Sequence, residues 1–461
     1  MTRFVPQLLL PFALLVLTPL FGSNAEANTI NASSCSVSDV QSAINSANNG
    51  DTVVIPNGSC TWTTGVTFSV QITLQGASTT GVTITDGDTN SGDSLLTAHT
   101  GSSFHTTIAN LNFLPGTGTG VYITVQDSPG ALVPLMHDVS FNLPNFQLQH
   151  AVQWFATGGV IWNANFYSTQ NLNGSCGQQI GSDSGSIVVK SYNLPWDSPS
   201  TMGILDITGT QNTYIEDSVF NNVGQAPDVD DNGRVVLRHS QIIGSSGLTH
   251  GTTSTYGGRQ VEIYNNSFTY PNPNRNLNRY FWYRAGTTVI TNNSFQWING
   301  GCYPNKPSVE FVVENAQALA DHGCCTGYMC FHQPGSGASL TSHSPSNVGS
   351  GNPTQTPVDA YQVSDPVYIW NNTGTGQGSS HYGMNQGSTG SPCNNVNPNT
   401  GQLYQTSDFY VAGRDYFYDD SSNPISGAKP GWAPYLYPHP LRGASSGSAP
   451  APPTNLSATV Q

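Results

Sequence analysis

The chain has 461 residues, of which only 8% are charged, 36% are hydrophobic and 10% are aromatic. Such a composition argues against a coiled coil or a helical bundle, which needs far more Glu, Lys and Arg, and against a charged disordered chain. The formal net charge is −14, with only 12 Lys and Arg in total. A basic face that could hold nucleic-acid phosphates is therefore not expected.

The first 27 residues have the pattern of a secretory signal peptide. Arg3 precedes an apolar run from Leu8 to Phe21, and residues 25–27 (Ala-Glu-Ala) have the small-x-small form of a cleavage site. We therefore expect a secreted, extracellular mature chain that begins at Asn28, with a membrane anchor as the alternative. No later apolar stretch is long enough to predict a membrane span.

The mature chain opens with a predicted cap and a cysteine pair. An amphipathic cap helix is predicted over Val37 to Ala47, and residues 50–56 lead into a first strand. All eight Cys follow the signal, and an even number in an exported chain suits disulfides, with Cys35 and Cys60 as the favoured pair. Five more Cys lie between residues 302 and 393, where a disulfide-stapled loop is favoured over a zinc site.

A short pattern of the form apolar-x-polar-small-x-aromatic recurs along the chain. Ile263 to Phe268 and Ile290 to Phe295 are two examples. When copies are aligned on their last residue, most intervals lie near 25 residues, and one of 54 is interpreted as two coils of 27. These last residues are Phe113, Phe141, Phe166, Phe220, Ile242, Phe268 and Phe295. A period of this length predicts a solenoid of stacked coils.

Two columns of this alignment indicate how each coil is oriented. The position five before the last residue is always apolar. This position and the last residue itself are therefore both expected to face the interior. The members of this apolar column are Ile108, Met136, Ile161, Ile215, Leu237, Ile263 and Ile290. The position three before is always polar and turn-forming, and stacked side chains there could hydrogen-bond along the solenoid. The members of this polar column are Asn110, Asp138, Asn163, Asp217, His239, Asn265 and Asn292.

Short strands at this period, with interior stacks and a polar ladder, resemble the right-handed parallel β-helix of the pectin-lyase-like superfamily. The resemblance covers residues 35–320 well and 360–440 more loosely. It implies an all-β fold, a single-stranded right-handed parallel β-helix (solenoid) with an N-terminal cap helix, over residues 28–442. A Gly/Ser/Pro linker and a short C-terminal tail are predicted for residues 443–461. The alternatives are an antiparallel sandwich and a propeller, and propeller blades need a longer repeat.

Side chains alternate along a strand, so positions four, six and eight before the aligned residue are predicted to face outward. Six of the nine Arg lie between residues 234 and 284. Since adjacent coils lie about 4.8 Å apart, several polar side chains should share one exterior wall. The predicted wall residues are Glu216, Arg234, Arg238, Glu262 and Tyr264.

A wall with Arg, acids and nearby aromatic residues suits a sugar polymer, because rings stack on sugars and Arg binds carboxylates. Lyase cleavage of a uronan needs a base near C5 and neutralisation of the adjacent carboxylate. The predicted catalytic residues are His250, Arg234, Arg238, Arg259, Glu262, Tyr264 and Arg284. The predicted substrate-binding residues are Glu216, Arg279 and Trp282. Structural roles are the alternative, with Glu216 and Arg238 as an ion pair and Arg259 and Arg284 capping strands.

A partial calcium-loop pattern lies just before these Arg residues. Residues 228–233 (Asp-Val-Asp-Asp-Asn-Gly) match the start of an Asp-x-Asp-x-Asn-Gly loop, which makes Asp228, Asp230 and Asn232 candidate Ca²⁺ ligands. The twelfth position is His239 instead of the Glu that the motif requires. A polar turn without metal is the alternative.

Resemblance to two enzyme groups of this superfamily gives competing functions. Pectate lyases often use Arg or Lys bases with calcium. Pectin hydrolases carry Asp-Asp and Gly-His-Gly, which Asp230-Asp231 and Thr249-His250-Gly251 resemble, although their Asn-Thr-Asp and Arg-Ile-Lys motifs are absent here. We predict a secreted protein that acts on acidic or neutral polysaccharide, as a pectate-lyase-like uronan lyase. The alternatives are a pectin glycoside hydrolase and a non-catalytic carbohydrate-binding protein or adhesin.

Overall fold

In the computed structural model, each coil of the chain supplies strands to three parallel ladders. The description covers residues 27–90, 93–118, 120–143, 150–168, 185–194, 199–249, 257–270, 281–283, 285–297, 309–311, 335, 364–375, 400–402, 412–419 and 427–443. Within these ranges, all pairings between the strands, numbered β1 to β28 in chain order, are parallel. The predicted right-handed parallel β-helix is confirmed.

Ladder 1 and ladder 2 share three long strands that bend at a turn residue. These are β8 (Thr107–Leu114), β10 (Leu135–Asn142) and β12 (Gly159–Tyr167). The other strands of ladder 1 are β1 (Thr29–Asn31), β2 (Thr52–Ile55), β5 (Thr73–Gly76), β14 (Thr213–Glu216), β17 (Arg234–Arg238), β20 (Gln260–Tyr264), β23 (Thr287–Thr291), β26 (Val367–Trp370) and β28 (Tyr416–Tyr418).

The remaining strands form ladder 2 and the separate sheet of ladder 3. Ladder 2 also contains β3 (Gly58–Trp62), β6 (Val82–Asp86), β15 (Val219–Asn221), β18 (Gln241–Ile243), β21 (Ser267–Tyr270), β24 (Ser294–Trp297) and β27 (Thr373–Thr375). Ladder 3 contains β4 (Val66–Phe68), β7 (Leu96–His99), β9 (Ile123–Gln126), β11 (Val152–Phe155), β13 (Ile187–Val189), β16 (Gln225–Val229), β19 (Ser246–Thr249), β22 (Phe281–Tyr283) and β25 (Val309–Phe311).

The two predicted apolar columns are confirmed as the core of the solenoid. Ile215, Leu237 and Ile263 are direct partners on adjacent coils and are buried. Phe141 stacks between Phe113 and Phe166 with ring centroids 5.3 and 4.8 Å apart. Because each coil places the same residue type at the same point, every apolar side chain is buried by its neighbours above and below.

The interpretation of the 54-residue interval as two coils is wrong. Phe166 of β12 pairs directly with Phe220 of β15, so one coil separates them. The extra length belongs to the connections on either side of β13, which run through residues 168–186 and 190–212. A period measured in residues assumes coils of equal length, and a long connection breaks that assumption.

The turn between ladders 1 and 2 uses left-handed backbone at the predicted polar column. His239, Asn265 and Asn292 have φ angles of 53°, 58° and 56°, which Asn and Asp tolerate better than other non-glycine residues. The predicted hydrogen bonds along this column are present, for example from the Asn371 amide to Asn292. A second, buried ladder lies one residue later. The Asn293 amide oxygen accepts the Asn266 backbone N–H at 3.0 Å, and Asn372 does the same for Asn293.

The N-terminal end is closed as the sequence predicts. Helix α1 spans Val37–Asn45, and the Ser36 hydroxyl accepts the Asp39 backbone N–H as an N-cap. A disulfide joins Cys35 and Cys60, whereas the other six Cys lie outside the described residues. The predicted signal and the predicted tail beyond Gly443 also lie outside them. In the described part of the chain, no helix is long and apolar enough to cross a bilayer.

Candidate functional site

The predicted wall residues do lie on one face, the outer face of ladder 1. Glu216 pairs with Arg238, and Arg238 pairs with Tyr264 on the next coil. Arg234 and Glu262 belong to the same two strands, β17 and β20, at neighbouring outward positions. Alternation along the strand therefore predicted the shared face correctly.

This face is covered, which corrects the prediction of an exposed wall. Residues 427–443, here called the clasp, lie across ladder 1, and the side chains of Glu216 and Arg238 are fully buried. Arg238 donates to the Tyr264 hydroxyl at 2.8 Å, to the Tyr435 carbonyl at 2.7 Å and to the Leu436 carbonyl at 2.8 Å. Its remaining donors bind Glu216, so all five N–H groups of the guanidinium have acceptors.

The other wall residues are covered in the same way. Glu262 accepts a hydrogen bond from the Trp432 indole N–H at 2.7 Å and from the Gly203 backbone N–H at 3.2 Å. Arg234 donates to the Pro199 carbonyl at 2.9 Å. The wall therefore binds the clasp and the connection at 199–206, and it offers no open surface for a polymer.

Five further predicted residues have other neighbours or are not fully described. Arg259 is buried and pairs with Asp365 at 3.0 Å. His250, Arg279 and Arg284 lie outside the described residues, and Trp282 is described only as part of β22. Catalytic and substrate-binding roles for the predicted residues stay predictions.

Long connections flank ladder 3 and not the edge between ladders 1 and 2. The turns after β14, β17, β20, β23 and β26 contain two residues each, whereas residues 168–186 enter and residues 190–212 leave β13 of ladder 3. Loops placed by a rigid scaffold are where binding and catalytic residues concentrate. Ladder 3 is therefore the better candidate for a functional face.

A lysine held between two carboxylates lies at the end of the ladder 3 strands. Lys190 Nζ is 3.0 Å from Asp230 and 2.8 Å from Asp231, and its side chain is 21% exposed. Burial disfavours the charge, but the two carboxylates outweigh it and raise the pKa of Lys190 above its usual value. Tyr192 lies beside this ammonium, and partial burial raises the pKa of its hydroxyl. The group therefore keeps a protonated Lys and a protonated Tyr at neutral pH.

An oriented histidine lies just before β11, at the opposite end of the ladder 3 strands from Lys190. His150 Nε2 is 3.0 Å from Asp228 Oδ2 and 2.8 Å from Gln225 Oε1. With the Nε2 proton shared by these acceptors, the lone pair of Nδ1 is left to take a proton. Asp228 and Asp230 point to the same outer side because Val229 between them packs in the core.

The predicted calcium ligands do not fit a calcium site as they are arranged. Asp228 binds His150, and the Lys190 ammonium lies where a cation would bridge Asp230 and Asp231. Among the described residues, no group of three or more His, Cys, Asp and Glu is placed to hold a metal ion. Lysine thus supplies the positive charge in this cluster.

The two hydrolase-like motifs come from adjacent coils. Val229 pairs with Thr249, and these residues immediately precede Asp230 and His250. Sequence reasoning found these motifs but missed His150 and Lys190. The signal for Lys190 was its rarity, since the chain has only three Lys, and His150 offered no pattern at all.

The architecture of the chain can be compared with that of known proteins. The chain combines three parallel ladders, two-residue asparagine turns and interior stacks. The chain has a right-handed parallel β-helix fold. No protein-family model matches the sequence of this β-helix, and neither does any curated protein.

Several solved structures are similar to this β-helix. An alginate lyase from Paenibacillus sp. has 16% identity and a TM-score of 0.40, covering 61% of this chain and 90% of its own. A PL6-family polysaccharide lyase from Pseudopedobacter saltans has 13% identity and a TM-score of 0.37, covering 91% and 90%. A pectin methylesterase from Aspergillus niger has 12% identity and a TM-score of 0.28, covering 87% and 98%. The fold assignment rests on the three ladders and not on these overlaps.

Proposed function

We propose that this β-helix is a secreted polysaccharide-active enzyme, a uronan lyase, whose site is the outer face of ladder 3. The observation that carries the proposal is an oriented histidine, His150, just before the ladder 3 strand β11, together with an ammonium, Lys190, just after the adjacent strand β13, beside the long connections. A base and a cation are the two groups that β-elimination from a uronate requires.

Each group has a part in the elimination. Two of the three Lys190 N–H donors bind Asp230 and Asp231, and the third faces the Tyr192 hydroxyl. In the proposed step the substrate carboxylate takes the place of Tyr192 on this donor, and the ammonium stabilises the charge that develops there. His150 Nδ1 removes the proton from C5. The electron pair of the C5–H bond forms the C4–C5 double bond, the bond from C4 to the glycosidic oxygen breaks, and Tyr192 returns a proton to that oxygen.

Hydrolysis is the second candidate, favoured by one observation. Asp228 is the last residue but one of β16 and Asp230 directly follows this strand, and both side chains face the same side, so their Cα atoms are about 6.6 Å apart along the strand direction. Inverting glycosidases place their two carboxyl groups about 6.5–9.5 Å apart. The products distinguish the reactions, because elimination leaves an unsaturated uronate and hydrolysis leaves only a new reducing end.

The test is a screen of the mature chain on pectate, alginate, rhamnogalacturonan and neutral glycans. We expect an ultraviolet-absorbing unsaturated product from one uronan, and at least a 100-fold lower rate for Lys190→Met. Lys190→Arg, which keeps the charge, should stay within about tenfold of the parent rate. His250→Ala should also lose turnover while its melting temperature is unchanged.

Three results would contradict this proposal. Reducing ends without unsaturation would favour hydrolysis. Polymer binding without any product would favour the non-catalytic alternative. A Lys190→Met variant that cleaves at the parent rate would remove ladder 3 as the site.

A further inference from the structure

An open groove lies along the turn between ladders 1 and 2, away from the face assigned to cleavage. Its volume is about 690 Å³, within the range of small-molecule sites. The lining repeats the same groups from coil to coil, with turn amides in one column and hydroxyls of ladder 2 in the next. These are Asn265, Asn292 and Asn371, and Ser267, Ser294 and Thr373.

The amide groups are exposed but rigidly placed. Asn265, Asn292 and Asn371 are exposed, and their φ angles of 58°, 56° and 51° are fixed by the two-residue turns. Directly behind them, the buried side chains of Asn266 and Asn293 hydrogen-bond from coil to coil at 3.1 Å. A ligand that meets these amides therefore has little conformational entropy to remove from the protein.

One end of the groove carries an aromatic wall. The Tyr437 ring stacks on His239 with ring centroids 3.5 Å apart, and its hydroxyl binds Asp217 at 2.6 Å. The Tyr437 side chain belongs to the clasp and is still 39% exposed. A fixed, partly exposed ring offers a flat apolar surface on which the C–H face of a sugar can pack.

The charge of the groove points to an uncharged ligand. Among its described lining residues, Asp217 is the one formally charged side chain, and no Lys or Arg is present. Asp217 is itself paired with Arg442. Arg442 is already compensated by Glu216 and Asp217, so a uronan or a nucleic acid would find little positive charge here. Hydroxyl groups match amides, which offer both a donor and an acceptor.

We infer that this groove binds a neutral polysaccharide chain that runs parallel to the solenoid axis. Coils repeat every 4.8 Å or so, which is comparable to the length of one sugar unit in an extended chain. The coils of Asn265, Asn292 and Asn371 then each present one amide and one hydroxyl to one sugar. The site is separate from ladder 3, so the protein would hold a neutral glycan while its cleavage face acts on another polymer.

The experiment is calorimetric titration of the full mature chain with cellohexaose, xylohexaose and mannohexaose, beside hexagalacturonate and hexamannuronate. We expect at least one neutral hexasaccharide to bind, with affinity that rises with chain length up to about four units, three for the coils with an amide and a hydroxyl and one for the Tyr437 ring. Asn292→Asp should weaken this binding at least tenfold, because a carboxylate has no N–H donor, while Asp tolerates the same turn geometry.

A matched control and a second variant keep the test decisive. Gln296→Glu makes the same chemical change at an exposed position on β24 outside the groove, and it should bind as the parent does. Ser294→Arg fills the groove from an exposed strand position and should also weaken binding at least tenfold. All three variants should cleave uronan at the parent rate.

The inference is wrong if no neutral oligosaccharide binds, or if only the anionic ones do. It is equally wrong if Asn292→Asp and Ser294→Arg bind as the parent does, or if Gln296→Glu loses as much affinity as they do. Because uronan cleavage is measured on the same samples, loss of the groove site and failure of the ladder 3 site are distinguishable.

Discussion

At the scale of single residues, Arg238 shows what alternation along a strand predicts and what it misses. The pattern correctly placed Arg238 beside Glu216 and Tyr264 on an outward face. It could not show that the carbonyls of Tyr435 and Leu436, about two hundred residues later, bind the same guanidinium. An Arg on an outer face can bind a substrate or another part of the chain, and the local sequence pattern does not distinguish these two cases.

Replacing Arg238 tests its structural role. Arg238→Met leaves Glu216 buried with one strong partner fewer, so the free energy of unfolding should fall by about 3–5 kcal/mol. Arg238→Lys keeps the charge but loses the planar guanidinium. Its free energy of unfolding should lie between that of Arg238→Met and that of the parent. Urea unfolding measures both.

Lys429→Met is the control for this prediction. It removes one positive charge as well, but from a partly exposed clasp side chain that lies over Tyr368. It should change the unfolding free energy by less than about 1 kcal/mol. If Arg238→Met unfolds like the parent and loses only activity, Arg238 is a catalytic residue after all.

At the scale of elements, the clasp and ladder 1 depend on each other. The clasp has one short 3₁₀ turn at Pro440–Gly443, so hydrogen bonds to ladder 1 replace those that a strand or helix would make. Glu216 accepts from the His439 backbone N–H at 3.2 Å and from Arg442 at 3.0 Å. No repeat in the sequence marks the clasp, because a segment that crosses the coils once has no period to detect.

The clasp should respond to pH through Glu262. Burial raises the pKa of Glu262 to about 7, although hydrogen bonds from Trp432 and Gly203 oppose the rise. The folded state thus favours the protonated acid, and this contribution is present below the usual pKa of 4.5 and lost as the pH rises through about 7. The loss is on the order of 3 kcal/mol.

Melting temperatures from pH 4 to pH 9 check this prediction. Glu262→Gln stays neutral and can still accept from Trp432, so its stability relative to the parent should increase as the pH passes 7. Parallel curves for the parent and Glu262→Gln would show that the carboxyl is ionised in the folded protein throughout.

At the scale of the whole molecule, the fold was predictable and the location of the candidate site was not. Residues such as Leu237 and Phe268 repeat with every coil, and this period alone specifies stacking and orientation. The clasp and the long connections do not repeat from coil to coil, and their positions depend on contacts between residues distant in sequence. Lys190 meets Asp230 and Asp231 across a gap of about forty residues that no spacing rule predicts.

The central claim is that the outer face of ladder 3 acts on the polymer, while ladder 1 holds the clasp. The most direct measurement compares two conservative variants, His150→Gln and Tyr264→Phe, for kcat on the uronan that the parent cleaves, with melting temperature recorded for each. We predict that His150→Gln loses at least 100-fold in kcat at an unchanged melting temperature, and that Tyr264→Phe melts earlier but keeps kcat within about twofold. Full activity in His150→Gln together with loss of activity in Tyr264→Phe would contradict the account and return the site to ladder 1.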